Sequence, residues 1–174
     1  MQDIYDRARA VRLAIFDVDG VMTDGRLYYS ERGEELKVFD VRDGHGLRML
    51  QESGVRLALL TSRSSRAVAL RADNLGISLV FQGVADKLAT FRELLRELRL
   101  EAAAASFMGD DLIDLPVLRR CGLALTVADA VAEVRDAAHY VTRAGGGRGA
   151  VREACELILR AQGNFDAQLA VHAS

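Results

Sequence analysis

The sequence has few cysteines, no excess of one charge and no long apolar run. The only two cysteines among 174 residues, Cys121 and Cys155, lie far apart, which excludes a thiolate zinc site and predicts buried free thiols. The 23 basic and 25 acidic side chains are mixed and give a formal net charge of −2, so no basic face for nucleic acid is visible. No run reaches the ~18 apolar residues of a bilayer span, and the charged N-terminus does not resemble a signal peptide. We expect a soluble cytoplasmic protein without nucleic-acid or membrane partners.

Short apolar runs alternate with longer segments of helical periodicity. The apolar runs are the predicted strands: Leu13–Phe16, 55–60, Leu79–Phe81, Ala105–Met108, Leu123–Thr126 and Tyr140–Val141. The segments between them are the predicted helices: 46–53, 65–75, 87–98, 112–120, 130–137 and 150–161. This alternation predicts an α/β fold, with a doubly wound, mostly parallel Rossmann-like sheet and helices on both faces. We expect residues 1–174 to form a single domain.

One segment, residues 26–39, breaks the alternation directly after the first acidic motif. Two short apolar stretches flank a charged turn with Gly33, which is typical of a β-hairpin. The apolar side chains that this hairpin would expose are Leu27, Tyr28, Tyr29, Val38 and Phe39. Exposure of that much apolar surface favours self-association. At the other end of the chain, residues 163–174 lack strong periodicity and are predicted to be a mobile tail.

Polar and charged residues follow three of the predicted strands. They are Asp17 and Asp19, then Thr61, Ser62 and Arg63, then Asp110 and Asp111, with Lys87 and Asp114 in the helices nearby. Since ligands of an open parallel sheet bind at the carboxyl ends of its strands, we expect these residues to share one crevice. Close carboxylates resist joint ionisation, and a divalent cation relieves the repulsion. An all-oxygen ligand set favours Mg²⁺.

These residue types suit phosphoryl transfer. Asp17 is the candidate nucleophile, which would attack phosphorus and form an aspartyl-phosphate. Asp19, two residues on, is the candidate acid for the leaving group and then the base for the hydrolytic water. Thr61 or Ser62 would hydrogen-bond the transferring group, and Lys87 would neutralise charge on that group and on Asp17. The sequence thus predicts a phosphomonoesterase.

Four motifs occur in a fixed order: the acidic run 17–20, Thr61, Lys87 and the acidic run 109–114. With them the chain resembles the haloacid dehalogenase superfamily over nearly its whole length. Each motif alone is weak, but four in this order, three of them at strand ends, form a specific pattern.

The resemblance implies roles for the acidic residues. It implies that Asp17 is the nucleophile, Asp19 the acid and base, and Asp110 a metal ligand. It further implies that Asp17 and the backbone carbonyl of Asp19 contact the metal. Asp111 and Asp114 would not bind the metal directly but would support the residues that do.

A finer similarity rests on the stretches 39–44, 109–116, 146–153 and 160–163. They resemble a subgroup without a cap domain that removes phosphate from an eight-carbon sugar acid on the route to lipopolysaccharide. The resemblance implies a homotetramer in which the hairpins associate and neighbouring subunits help to close each site. A nine-carbon, sialic-acid-type phosphate is the alternative substrate. A non-catalytic tetrameric scaffold is the alternative of a different class.

Four residues are candidates for substrate contact: Ser62, Arg63, Arg71 and Asp43. Either guanidinium would suit a substrate carboxylate or phosphate, although a solvated helix face is an equally good interpretation of Arg71. Ser62 stands where relatives often have glycine. His45, beside Asp43, stands where relatives often have an aromatic residue; it either touches the sugar or only begins a helix.

Overall fold

The computed structural model describes residues 2–173, which form eight strands and eight α-helices. The elements in chain order are α1 (Gln2–Ala10), β1 (Leu13–Phe16), β2 (Tyr28–Tyr29), β3 (Glu35–Leu36), α2 (Val41–Glu52), β4 (Arg56–Leu60), α3 (Arg66–Leu75), β5 (Leu79–Phe81), α4 (Lys87–Leu98), β6 (Ala105–Met108), α5 (Leu115–Leu118), β7 (Leu123–Thr126), α6 (Ala132–Ala137), β8 (Tyr140–Val141), α7 (Ala150–Ala161) and α8 (Phe165–Ala173). Short 3-10 turns, Ala102–Ala104 and Leu112–Asp114, precede β6 and α5. All six predicted strands are present.

Six strands form one parallel sheet in the order β5-β4-β1-β6-β7-β8. The chain runs outward from β1 through β4 to β5 and then returns to the other side of β1 for β6, β7 and β8. This reversal beside β1 is the doubly wound arrangement, so the predicted fold class is confirmed. Phe16, at the end of β1, pairs with Leu59 of β4 and with Met108 of β6. The loops that follow these three strands therefore start side by side at one edge of the sheet.

The predicted hairpin is present as the antiparallel pair β2–β3, in which Tyr28 lies opposite Leu36. Gly33 in its turn adopts a φ of 77°, a left-handed conformation that favours glycine. Phe39 is half-buried against the core, contrary to the expected exposure. The exposed apolar side chains of this region are Leu27, Tyr28, Tyr29, Leu36, Val38 and Val41. The hairpin thus presents an apolar surface to solvent in the single chain.

Helices α2 and α7 pack closely in the layer on one side of the sheet. A Cβ atom on Gly46 of α2 would lie 3.0 Å from the Cα atom of Arg152, so a larger residue would push the two helices slightly apart. Asp40 caps α2 by accepting hydrogen bonds from the backbone N–H groups of Arg42 and Asp43. This cap starts the helix at Val41, five residues before the predicted start.

Two helices were missed by the sequence analysis. In α1 the residues that pack in or against the core are Ile4, Tyr5 and Ala8, followed by Val11, a short apolar stripe that the sequence analysis did not select among the charged residues of the N-terminus. Helix α8 is anchored by Phe165, which is buried. The centre of its ring lies 3.5 Å from the guanidinium carbon of Arg160. The segment expected to be a tail is therefore helical. Its mobility stays a prediction, and Ser174 lies outside the described residues.

Cys121 and Cys155 are buried and unpaired, as predicted. Burial raises the pKa of the Cys121 thiol to about 12, which keeps it protonated and unreactive. Among residues 2–173, no helix has both the length and the apolar composition needed to cross a bilayer.

Candidate active site

A cavity of about 200 Å³ lies at the sheet edge where β1, β4 and β6 end. Its lining residues are Asp17, Asp19, Gly20, Gly25, Thr61, Ser62, Arg63, Lys87, Asp110, Asp111 and Ile113. Most of the residues predicted for the site therefore line one cavity. The parallel register of the central strands produces this convergence, because it brings the ends of segments far apart in sequence to one edge.

Three carboxylates meet at this site. Asp17, Asp110 and Asp114 each place a side-chain oxygen within 4.8 Å of the other two. Burial, and then the charge of Asp114, raises the pKa of Asp17. Burial, and then the charges of Asp17 and Asp114, raises the pKa of Asp110 to about 7. The folded chain thus holds carboxylates together against their mutual repulsion.

Lys87 is the cation at the centre of this cluster. Its Nζ atom donates hydrogen bonds of 2.6 Å to Oδ2 of Asp17 and to Oδ1 of Asp114. Burial disfavours the charged ammonium, but the two carboxylates outweigh this effect and raise the pKa of Lys87. Lys87 is the first residue of α4, and Asp86 caps this helix by accepting a hydrogen bond from the backbone N–H of Ala89. The helix start thus fixes where the ammonium lies.

Asp114 orients the loop that carries Asp110. Its Oδ1 atom accepts from Lys87, and its Oδ2 atom accepts from the backbone N–H groups of Asp110 and Asp111. Asp114 is completely buried and does not line the cavity, whereas Asp17 and Asp110 do, so its position suits a supporting role better than direct metal ligation. Gly109 is required here, since a Cβ atom would lie 2.5 Å from the carboxyl carbon of Asp114.

Gly20 lets the first and last acidic motifs approach each other. It adopts a φ of +84°, and a Cβ atom on it would lie 2.0 Å from Oδ2 of Asp110. The glycine-rich segment before α7 packs against the loop after β1, which carries Gly20. A Cβ atom on Gly146 would lie 1.9 Å from the carbonyl oxygen of Gly20, and the N–H of Gly147 donates to the carbonyl of Val21. The run 145–149 thus packs against the loop that follows β1.

The Asp19 carboxylate faces cations from two other segments. Lys37, which follows β3 of the hairpin, donates a hydrogen bond to Oδ1 of Asp19, and its side chain is only 1% exposed. The Nε atom of Arg63 lies 3.8 Å from Oδ2, an atom that lacks a hydrogen-bond partner among the described residues. Glu35 contacts both cations, at 2.7 Å from Arg63 and 3.4 Å from Lys37. The hairpin is therefore part of the site within a single chain.

The donor set at this site fits a hard divalent cation. The clustered ligands are carboxylate oxygens, which Mg²⁺ prefers, and no thiolate or imidazole accompanies them in the cluster. Burial first, and then the repulsion between like charges, raises the pKa values of Asp17 and Asp110, and a bound cation would relieve that repulsion. The Asp19 side chain is absent from the cluster, so any contact of Asp19 with a metal falls to its backbone carbonyl, as the resemblance implies.

Known proteins are similar in sequence to this chain. The sequence profile of the haloacid dehalogenase-like hydrolases matches residues 77–151. Over 164 residues the chain is 49% identical to the 3-deoxy-D-manno-octulosonate 8-phosphate phosphatase of Yersinia pestis, an alignment that covers 94% of this chain and 88% of that protein. This chain belongs to the haloacid dehalogenase-like hydrolases.

Solved structures of similar proteins have the same fold over the whole chain. A probable phosphatase from Pseudomonas syringae superposes with a TM-score of 0.98 at 51% identity and covers 100% of this chain and 99% of its own. The 3-deoxy-D-manno-octulosonate 8-phosphate phosphatase of Moraxella catarrhalis, solved with magnesium, phosphate and KDO, superposes with a TM-score of 0.97 at 44% identity. That alignment covers 99% of each chain.

Two residues predicted to contact substrate lie outside the cavity of this haloacid dehalogenase-like hydrolase. Asp43 is only 2% exposed, and its carboxylate accepts from the N–H groups of Gly149 and Arg152 at the start of α7. Arg71 lines a different cavity, beside α2. The early start of α2 explains the first difference, because Asp43 lies in its first turn and faces α7. Ser62 and Arg63 line the predicted cavity.

Lys37 and Glu35 contact the hydrolase site but were not selected by the sequence analysis. Lys37 stands outside the four motifs, and a lysine near the end of a hairpin strand ordinarily marks an exposed strand edge. The spacing of Lys37 from Glu35 does contain a signal that these two side chains lie together. Glu35 and Lys37 are two residues apart, so they project from the same face of an extended segment. That segment directly follows the first acidic motif.

Proposed function

We propose that this chain is a Mg²⁺-dependent phosphatase that hydrolyses 3-deoxy-D-manno-octulosonate 8-phosphate to the free sugar acid, KDO, and inorganic phosphate. The observation that carries the proposal is the carboxylate cluster around Lys87 at the switch point of the sheet. The near full-length similarity to the Yersinia pestis phosphatase supports this substrate, as does the KDO in the Moraxella catarrhalis structure. The reaction would serve the synthesis of lipopolysaccharide precursors.

The first step is transfer of the phosphoryl group to Asp17. One carboxylate oxygen of Asp17 forms a bond to phosphorus while the bond from phosphorus to the sugar oxygen breaks. Lys87 and the N–H of Val18, 2.7 Å from Oδ1, fix the orientation of this carboxylate. Asp19 gives its proton to the departing sugar oxygen, so the sugar acid leaves as an alcohol.

The second step regenerates the enzyme. Asp19, now deprotonated, takes a proton from a water molecule as that water attacks phosphorus. The bond between phosphorus and Asp17 breaks, inorganic phosphate leaves, and the Asp17 carboxylate is restored. Lys37 and Arg63 hold the Asp19 side chain at the cavity for both proton transfers.

The side chains of Asp17 and Asp110 and the backbone carbonyl of Asp19 would hold the metal ion. Asp114 would orient the Asp110 loop, and Asp111, which lines the cavity, would add negative charge nearby. When bound, Mg²⁺ supplies charge neutralisation for the carboxylates and for the phosphoryl oxygens of the substrate. Thr61 is buried beside the cavity and offers its hydroxyl to the transferring group.

Ser62 and Arg63 are the proposed substrate contacts. Both side chains are exposed at the cavity that holds the reacting groups. The Arg63 guanidinium is bound to Glu35 and to the hydroxyl of Tyr29 on the hairpin. A sugar-acid carboxylate would compete with Glu35 for this guanidinium. Arginine favours carboxylates because it can bind both carboxylate oxygens at once.

We further propose that the chain acts as a single domain and as a homotetramer in the cytoplasm. The exposed apolar side chains of the hairpin support association, because a patch of this kind in water favours a protein partner. The buried free thiols support a reducing compartment. Sedimentation at micromolar concentration tests the assembly, and a monomer there would remove the proposed role of the hairpin surface.

A phosphate-release assay over a panel of sugar phosphates tests the activity. We expect the highest kcat/KM for 3-deoxy-D-manno-octulosonate 8-phosphate, with Mg²⁺ required. A higher kcat/KM for a nine-carbon, sialic-acid-type phosphate would replace the substrate but keep the chemistry. Release from no member of the panel would favour a non-catalytic scaffold.

A further inference from the structure

The active-site cavity has a buried floor and an exposed rim. The floor includes Asp17 and Lys87, whose side chains are almost completely buried. The rim includes Ser62, Arg63 and Ile113, which are exposed. Because the phosphoryl group reacts at Asp17, the floor holds that group and the rim faces the alcohol part of the ester.

Ile113 differs chemically from the other residues of the cavity. The other lining residues that the structure describes are carboxylates, hydroxyls, cations and glycines, so Ile113 alone has a purely hydrocarbon side chain. That side chain is 54% exposed in the single chain. A branched hydrocarbon side chain on the rim of a charged cavity is stabilised when an apolar group covers it and removes it from water. The carbon chain of a substrate is such a group.

The polar and the apolar parts of the rim lie on opposite sides of the nucleophile. Ser62 and Arg63 follow β4, and Ile113 follows β6. Strand β1, which ends just before Asp17, lies between these two strands in the sheet. A carbon chain that extends outward from the floor therefore meets polar groups on one side and Ile113 on the other. A polyhydroxylated chain can present hydroxyl groups to the first side and C–H groups to the second.

The turn Leu112–Asp114 fixes the position of Ile113. Oδ1 of Asp111 accepts a hydrogen bond of 2.7 Å from the N–H of Leu112, and Oδ2 of Asp114 accepts one of 3.2 Å from the N–H of Asp111. Asp114 is in turn bonded to Lys87 of the floor. Ile113 is thus held in a defined position relative to the reacting groups, as a specificity contact requires.

We propose that Ile113 determines substrate specificity by packing against the carbon chain of the phosphate ester, next to the phosphoester oxygen. The enzyme then favours esters of an extended carbon chain over esters of a short one. This inference rests on the proposed phosphatase activity, since it concerns the alcohol part of the ester that is cleaved. It does not depend on the identity of the sugar acid.

Phosphate release from methyl, ethyl, propyl and butyl phosphate, with Mg²⁺ present, tests this contact. Each methylene that Ile113 helps to bury should raise kcat/KM of the wild-type chain by up to about fourfold. Ile113→Ala should lower kcat/KM by about tenfold for butyl phosphate and by less than about twofold for methyl phosphate. Ile113→Val should show an intermediate dependence on chain length. With 3-deoxy-D-manno-octulosonate 8-phosphate, Ile113→Ala should raise KM by about tenfold and change kcat by less than about twofold.

Leu112→Ala is the matched control. Leu112 directly precedes Ile113 and is 53% exposed, but it does not line the cavity, so this variant should keep the wild-type dependence on chain length. Inhibition by inorganic phosphate is a second control. This ion has no carbon chain and reports on the floor alone, so its inhibition constant should be the same for Ile113→Ala as for the wild type.

The outcomes separate this inference from the proposed function. The inference is wrong if wild-type kcat/KM does not depend on chain length, or if Ile113→Ala keeps the same dependence. A rise in the phosphate inhibition constant by the same factor would also overturn it, because the substitution would then have disturbed the floor. Phosphate release from no ester by the wild-type chain would instead defeat the proposed function, and this inference with it. Turnover of alkyl phosphates without turnover of the sugar-acid phosphate would change the substrate and leave the contact in place.

Discussion

Lys87 donates a hydrogen bond of 2.6 Å to Oδ2 of Asp17, and both side chains are almost completely buried. The two residues are 70 positions apart in sequence, and the parallel sheet joins them by bringing the end of β1 beside the start of α4. The ammonium opposes the burial and like charge that raise the pKa of Asp17. It therefore favours the ionised carboxylate, which is the form that can attack phosphorus.

Replacement of the nucleophile is the most direct test of the mechanism. Asp17→Asn keeps the size of the side chain but removes the attacking carboxylate, so we expect phosphate release to fall by at least about 10³-fold. The fold should persist, because Lys87 retains its hydrogen bond to Asp114. Steady-state kinetics measure the loss, and circular dichroism checks the fold. Substantial turnover by a folded Asp17→Asn variant would contradict nucleophilic catalysis by this residue.

Much of the fold follows from the sequence because its strands are short apolar runs that stay buried. Leu13–Phe16 is fully buried as a central strand, which is the environment that a continuous apolar run predicts. Helices α1 and α8 carry a weaker signal, because neither contains a continuous buried apolar run. Helix α1 is held by contacts with distant segments, such as the hydrogen bonds from Arg7 to the carbonyl of Gly122 and from Arg9 to the carbonyl of Ala161, and α8 by the contact of Phe165 with Arg160.

The sequence predicts the active-site position of those residues that directly follow a strand. Asp17 and Asp110 are found where the parallel topology requires. Residues that reach a site from a hairpin or a helix face are harder to assign. Lys37 enters the site and Asp43 does not, and each outcome depends on how a local element is oriented. The spacing of Glu35 and Lys37 shows that they share a face, but it does not show which face meets the site.

A second prediction concerns the repulsion within the carboxylate cluster. Asp110→Asn removes one of the like charges, so we expect the metal-free protein to melt at a higher temperature than the wild type. The same variant should lose more than about 100-fold in activity, since a metal ligand is missing. Differential scanning calorimetry in EDTA and in Mg²⁺ measures both states of each protein.

The response to Mg²⁺ provides the control for that prediction. The wild-type melting temperature should rise when Mg²⁺ replaces EDTA, because a ligand that binds only the folded state stabilises it. Asp110→Asn should show a much smaller rise. If the variant melts below the wild type in EDTA and still gains as much from Mg²⁺, Asp110 neither suffers repulsion nor holds the ion.

A third prediction concerns pH and His139. The Nδ1 atom of His139 accepts a hydrogen bond of 2.8 Å from the N–H of Ala124, so folding favours the neutral ring. Burial, and then the charge of Arg7, lowers the pKa of His139 in the folded state. The unfolded chain therefore binds the proton first, near the ordinary pKa of about 6.5. The contribution of His139 to stability is present above that pH and is lost as the pH falls below it.

His139→Asn tests this dependence, because the amide oxygen can accept the same hydrogen bond without titrating. We expect the wild-type melting temperature to fall relative to that of the variant as the pH decreases from about 8 to 5, the range around the ordinary histidine pKa. Thermal unfolding across this range measures the difference. Parallel pH profiles for the two proteins would show that His139 is not a source of acid sensitivity.

The fourth prediction concerns Lys37 and the proton transfers of Asp19. Lys37→Met keeps the length of the side chain but frees the Asp19 carboxylate from its partner in the hairpin. We expect kcat for a sugar phosphate to fall by roughly 10²-fold, within the range that general acid–base catalysis contributes. The loss should be smaller with p-nitrophenyl phosphate, whose leaving group needs no proton. Asp19→Ala should show the same dependence on the leaving group, with a larger loss.

A purely structural role for Lys37 would give a different result. Unfolding or loosening of the hairpin would lower activity toward both substrates equally and would lower the melting temperature. Lys37→Arg, which keeps the cation, should recover part of kcat for the sugar phosphate with little change in KM. Because Lys37 contacts Asp19 and Glu35 alone among the described ion pairs, recovery by the arginine variant would assign its effect to a cationic hydrogen-bond donor that positions the Asp19 carboxylate. Equal losses on both substrates in Lys37→Met would instead reduce Lys37 to a support of the hairpin.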